Sequence, residues 1–361
     1  MHAIWKVIKR IIAVAAVLPG LGPALLAAWA GVVDGEPEKP IQVFDRRGRI
    51  VALLDAAGKG VSLAPAYTQV AFGQVEPRSP GRVDLALDLA WQAQAQKALR
   101  EELRDQGLEA GLVAVEPGTG RVRVLAASWN GARFCDLRAR RPAGTAIKPL
   151  LLAAALEQGL RPESALDEEP DGESPGQVWR PRNCEACDST PRVEDLLGST
   201  CTCALHLTLR LGPEEIARQA QSLLIRSPLP REPAELVFGS QLDLVELTGA
   251  MAAIWADGLA SEPGFGARAR GETGQALTSQ NATVLAGLIE RAAGGLPLVR
   301  GSTASGRDGW AIACSRSPER LCIGVRVSAP RGPGPPPLHL ARLARRVLER
   351  FHLSVIGASS D

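Results

Sequence analysis

The chain has 361 residues, 45% hydrophobic and 22% charged, an ordinary globular composition with room for a sizeable core. Its formal net charge is +2, and the basic residues are not gathered beyond a few arginines. That balance points to no polyanionic partner, and nucleic-acid binding finds no support in it.

Lys6, Lys9 and Arg10 precede Ile11–Val33, an uncharged stretch long enough to cross a bilayer. Basic residues before the span predict a cytoplasmic N-terminus and put the chain after Asp34 outside. Two readings compete for residues 1–33. Pro19 and Gly20 interrupt the run and Ala28-Trp29-Ala30 fits an A-x-A cleavage site, as in a removable signal peptide. Otherwise the segment stays as a single-pass transmembrane helix. Under both, the body of the protein is exported.

Residues 41–54, IQVFDRRGRIVALL, alternate like a short strand pair around Arg46-Arg47-Gly48, and 34–82 reads as a short β-rich linker region. VDLALDLAWQAQAQKALREELRDQG, from Val83, predicts a strand running into an amphipathic helix. GLVAVEPGTGRVRVLAAS follows as two strands joined at Pro117-Gly118-Thr119-Gly120.

Residues 141–160 read RPAGTAIKPLLLAAALEQGL: a small-residue turn, a hydroxyl at Thr145, an amine at Lys148, then proline and an apolar helix. Positions i and i+3 lie on one helix face, so Lys148 can reach Thr145, the geometry of a hydroxyl nucleophile activated by a lysine. Alone, a threonine capping a helix with a lysine on its face is common and structural. The segment closely resembles the PGSxFKP stretch of penicillin-binding proteins, whose SxxK motif supplies the nucleophile for peptidoglycan cross-linking. Thr145 stands where that family has serine.

The resemblance extends in both directions. The strand pair at 41–54 is similar to the lead-in to the glycosyltransferase domain of bifunctional members. The roughly forty residues that follow are too few for a domain of about 100–200 residues, so no glycosyltransferase is expected. WRPRNCEACDSTPRVEDLLGSTCTCALHLTLRLG resembles the run W-x-P-x-N…VTLREALxxSxN through Trp179, Pro181, Asn183, Val193, Leu197 and Ser199. The resemblance implies that Ser199 relays a proton, while Cys201 replaces the asparagine that orients lysine and substrate amide. A thiol lacks the amide's paired donor and acceptor. FGSQLDLVELTGAMAAIWADG and LTSQNATVLAGLIERAAGG resemble family helices, and GRDGWAIACSRSPERLCIGVRV matches GxRDAWFxGY and the next strand. Counting back from Asp308 and Trp310 puts Val299-Arg300-Gly301 on the KTG motif, with Ser302 and Thr303 on the hydroxyl pair after it. The motif's lysine is lost. Arg300 offers charge one position away, but a one-residue shift on a strand turns the side chain to the other face.

An exported chain makes disulfides the default reading of its seven cysteines. Cys314 and Cys322 flank a polar loop between two apolar runs, and a hairpin would bridge them. Cys184, Cys187, Cys201 and Cys203 form CxxC…CxC, read as at least one further bridge, although the spacing also describes a four-thiolate zinc site. Cys135 is left over, and His206 reads as an ordinary, partly exposed histidine.

The expected fold is α+β, the penicillin-binding-protein/serine β-lactamase-like antiparallel sheet covered by helices, over residues 83–352. PRGPGPPP at 330–337 predicts a stiff connector and LHLARLARRVLERFHL a terminal amphipathic helix. The resemblance implies a bacterial inner-membrane protein facing the periplasm, binding a peptidoglycan stem peptide or β-lactam, with cell-envelope proteins as further partners and no cofactor or metal. Substituted serine, asparagine and lysine positions favour a non-catalytic binding or scaffold role. The alternative is slow acyl transfer with Thr145 as nucleophile, Lys148 as base and Ser199 as relay.

Overall fold

The computed structural model describes residues 40–55, 57–75, 81–104, 106–128, 135–166, 192–198, 201–268, 271–303, 305–315, 320–329 and 339–356. The apolar segment 11–33, Trp179, Pro181, Asn183, Cys184, Cys187, Ser199 and the proline-rich connector lie outside these residues. Among the described residues no helix is long and apolar enough to cross a membrane.

The chain divides into two compact units, one of residues up to Ala90 together with Phe265–Ala269, the other of the remainder. In the first, β1 (Ile41–Phe44), β2 (Ile50–Leu54), β3 (Gly60–Ser62) and β4 (Arg82–Asp84) form a sheet in the order β3-β2-β1-β4. Helix α1 (Pro65–Ala71) follows β3. The β1–β2 turn is built as its sequence suggests: Gly48 takes φ +74° and the Asp45 carboxylate accepts the Arg47 and Arg49 amides at 2.9 and 2.8 Å. β4 pairs parallel to β1, and residues from far along the chain complete the unit. The Phe265 carbonyl accepts the Ala86 amide at 2.7 Å and the Tyr67 hydroxyl at 3.2 Å, while the two rings meet edge to face.

The second unit carries α2 (Leu89–Leu103) from Trp91 onward, then β5 (Glu109–Val115), β6 (Val122–Ala127), β7 (Arg141–Pro142) and α3 (Lys148–Glu157). Next come α4 (Cys201–Leu211), α5 (Pro213–Ser222), α6 (Pro233–Gly239), β8 (Gln241–Leu242), α7 (Leu244–Ile254), β9 (Leu259–Ser261), β10 (Thr273–Gln275) and α8 (Ser279–Ala292). β11 (Leu298–Ser302), β12 (Asp308–Cys314), β13 (Cys322–Ser328) and α9 (His339–Ile356) complete it. The main sheet runs β11-β12-β13-β5-β6, antiparallel throughout. This is the helix-covered antiparallel sheet expected from the sequence.

Strand alternation assigns the faces. Ala110, Leu112 and Ala114 of β5 and Ile323, Val325 and Val327 of β13 point to one side, where Leu99 of α2 and Leu343, Val347 and Phe351 of α9 cover them. Each fully buried leucine, isoleucine, valine or phenylalanine among them contributes about 1.5–3 kcal/mol, so this layer is the main adhesive of the unit. On the other side lies α7, whose long apolar run is buried almost all round, close enough that a Cβ on Gly324 would collide with Thr248. Cys314 and Cys322 are cross-strand partners and are joined by a disulfide. Cys203 is buried on α4, where the helix turns its side chain into the packed interior, while Cys184 and Cys187, with which it was grouped, lie outside the described residues.

Candidate active site

The segment before α3 is a short 3-10 turn, Gly144–Ile147, laid on the edge strand β11. Two glycines allow the approach. Gly144 takes φ +52°, and a Cβ there would sit 2.6 Å from the Ser302 carbonyl carbon. A Cβ on Gly301 would sit 2.5 Å from the Ala146 amide nitrogen. With backbone against backbone, the Ser302 N–H donates to the Thr145 hydroxyl oxygen at 3.2 Å. Thr145 is half-buried, while Lys148 opens α3 with Pro149 behind it and is 5% exposed. Hydroxyl, strand amide and buried amine are thus gathered at one helix start. An amide aimed at a hydroxyl oxygen is also aimed close to where an oxyanion would develop if that oxygen attacked a carbonyl.

Register decides the other β11 positions. β11 pairs with β12 without a break from Leu298↔Ala313 to Ser302↔Gly309. Gly301 and Val299 therefore share the face of Trp310 and Ile312, against the Thr145 turn, and Val299 is buried. Arg300 is exposed, opposite Ala311, on the other face, and no bulge turns it back. Thr303, the second of the expected hydroxyl pair, braces the β11–β12 turn: its hydroxyl accepts the Asp308 amide at 3.2 Å and it is 4% exposed. Ser302 meets Thr145 through its backbone amide.

Cys201 is the first residue of α4, which packs against α3. His206 lies one turn beyond Cys203, and its Nδ1 is buried without a hydrogen bond. Among the described residues no group of three or more His, Cys, Asp or Glu could hold a metal ion. The 3-10 segment Val193–Leu197 lines a surface hollow of about 450 Å³ with Leu288 and Arg291, and neither Thr145 nor Lys148 borders it.

Sequence reasoning passed over Arg326. It is 1% exposed on β13 and its guanidinium donates to the carbonyls of Ala139 and Asp136 at 2.7 and 2.8 Å, both on the segment entering the Thr145 turn. The Cys135 thiol lies 3.8 Å from the same guanidinium. Burial pushes that thiol up from its usual value, with Arg326 pulling the other way. Asp243 caps α7 by accepting the Val245 and Glu246 amides. Burial raises its carboxyl, opposed by Arg138, whose guanidinium lies 2.5 Å away.

No family model matches the chain. A stretch of 216 residues, 54% of this chain, is 28% identical to penicillin-binding protein 1A of Mycobacterium tuberculosis, and covers 26% of that protein's length. The chain thus spans about a quarter of that curated relative. Among solved structures, PonA1 of M. tuberculosis in complex with penicillin V superposes with a TM-score of 0.61 at 20% identity, covering 75% of this chain and 85% of that one. PBPA of M. tuberculosis superposes with a TM-score of 0.68 at 15% identity, covering 89% and 100% respectively. These likenesses establish the fold as that of penicillin-binding protein transpeptidase domains.

Proposed function

We propose that this chain, built on the transpeptidase fold of penicillin-binding proteins, is a membrane-tethered, periplasm-facing protein of peptidoglycan assembly that binds a cell-wall peptide or a partner without turnover. One observation carries the reading. The position that should grip a substrate carboxylate holds buried Val299, and the neighbouring Arg300 is on the opposite face of an unbroken strand. Thr145 adds to it, because a secondary alcohol has a stiffer χ1 than serine. An oxygen misplaced by about 1 Å can cost on the order of a hundredfold in rate. Each lost donor or charge at the transition state typically costs about a hundred- to a thousandfold more. Cys201 in place of an asparagine removes a further polar contact.

The purified exported portion incubated with a fluorescent penicillin tests this directly. No covalent label is expected. A stoichiometric adduct that disappears in Thr145→Ala would end the proposal.

A second reading is favoured by the gathering of Thr145, the Ser302 amide and buried Lys148: slow acyl transfer, with Thr145 as nucleophile, Lys148 as base and Ser199 as relay. Under it, Thr145→Ser keeps or raises labelling and Lys148→Ala abolishes it. If Thr145→Ser and the wild type are equally inert toward β-lactams and D-Ala-D-Ala peptides, this second reading fails.

A further inference from the structure

We infer that Arg326 is the positioning residue for Thr145, acting from inside the sheet through the backbone of the segment that enters the turn. The inference takes Thr145 as the site's reactive position, but it concerns geometry and does not depend on whether the site turns over.

Register pairs Gly111 with Arg326, Arg326 with Trp310, and Trp310 with Gly301, so these four residues form one row across β5, β13, β12 and β11 on a single face. The chain from Asp136 to Ala146 crosses the row in the same order. Leu137 occupies the space a side chain at Gly111 would need. The Asp136 and Ala139 carbonyls sit on Arg326 at 2.8 and 2.7 Å. The Pro142 carbonyl accepts the Trp310 indole N–H at 2.9 Å, and Ala146 rests over Gly301. At each end a glycine makes room, and in the middle two large side chains supply donors. The segment spans only a two-residue strand, β7, so those carbonyls have few ladder partners of their own.

Arg326 is an expensive choice for this place. Among the described residues it makes no ion pair, it is 1% exposed, and its Nε is buried without a hydrogen bond. Its guanidinium lies 5.7 Å from the Trp310 ring centre, which offsets part of that cost. Its neighbours Val325 and Val327 show that an aliphatic residue suits the strand. What an aliphatic residue could not do is hold two carbonyls three residues apart with one rigid fork. That fork fixes Asp136–Ala139, Trp310 fixes Pro142, and the turn then arrives with the Thr145 oxygen on the Ser302 amide.

Hydrogen exchange read by mass spectrometry on the purified protein tests the inference without reference to activity. The informative peptides are 136–147 and 298–303, the second reporting the Ser302 amide. In Arg326→Met both should exchange about tenfold faster or more, while β5 and β13 amides keep their protection. Arg326→Lys, which keeps the charge but not the fork, should fall between. Leu112→Ala, a cavity on the far face of β5, serves as the control for general destabilisation, and should loosen the whole sheet with no preference for these peptides. Wild-type exchange in both peptides of Arg326→Met, or acceleration only in step with the rest of the sheet, overturns the inference. If Arg326→Met does not fold, Arg326→Lys is judged on the same peptides by the same criterion. A negative penicillin assay leaves the result unaffected.

Discussion

Gly144 meets two separate demands, and adding a methyl group there separates their costs. Its φ of +52° is left-handed, where an L side chain costs about 1–2 kcal/mol. The new Cβ would also lie 2.6 Å from the Ser302 carbonyl carbon and 3.0 Å from the Thr303 Cα, both backbone atoms that cannot swing aside. Overpacking of that kind costs about 1–3 kcal/mol. Gly159 makes only the first demand, with φ +81° and nothing within 4 Å of a Cβ. Gly301 makes only the second, since its φ is ordinary and a Cβ would lie 2.8 Å from the Ala146 Cα. Gly159→Ala should therefore cost about 1–2 kcal/mol, Gly301→Ala about 1–3, and Gly144→Ala about 2–5, near their sum. Urea denaturation followed by tryptophan fluorescence measures all three. In thermal melts each kcal/mol should lower the midpoint by about 2–4 °C. If Gly144→Ala costs no more than Gly159→Ala, the turn does not lie on β11 as closely as described.

The Cys314–Cys322 bridge closes a separation of 8 residues, for which chain entropy gives about 2–3 kcal/mol. Cys314→Ala/Cys322→Ala should lose that much in urea denaturation under oxidising conditions, and a peptide map of the non-reduced wild type should recover the linked pair; two alkylatable thiols there would refute it. Burial lowers the His352 imidazole below its usual 6.5, so the folded state disfavours the charged ring. Its contribution to stability is full above the unfolded value and is lost as pH falls through the lowered one. His352→Gln should flatten that loss between about pH 7.5 and pH 5, and a slope identical to wild type would count against it.

Hairpins and helices were legible where the pattern is local. GLVAVEPGTGRVRVLAAS announces β5 and β6 because apolar alternation brackets a Pro-Gly-Thr-Gly turn, and Gly118 and Gly120 do take positive φ. The same holds for β12, β13 and α9. Non-local pairing left no such trace. Nothing in the short run at Phe265 signals that it joins strands from the first ninety residues, and nothing at Arg82–Asp84 signals a parallel partner. In the site, the Thr145 turn and β11 lie 157 positions apart, so motif spacing proposed both without predicting that backbone would meet backbone. Thr303 was legible as a hydroxyl but not as a turn brace, because a threonine five positions before its partner Asp308 carries no turn-specific pattern. Arg326 had a signal that went unused. A single arginine inside the apolar run LCIGVRV, on a strand buried on both faces, needs an internal partner.

The five residues Phe265–Ala269 have a consequence for how this protein is made. Synthesis proceeds from the N-terminus, yet the first unit lacks the carbonyl for Tyr67 and Ala86 until the ribosome has passed Ala269. These strands are therefore made well before the unit can be finished, and they wait with their apolar faces incompletely covered. Closing so long a loop is slow, and exposed strand edges invite mispairing meanwhile. A gene fragment ending at Ala90 would reproduce that waiting state permanently, and only a chain carrying both stretches would bring the first unit to completion.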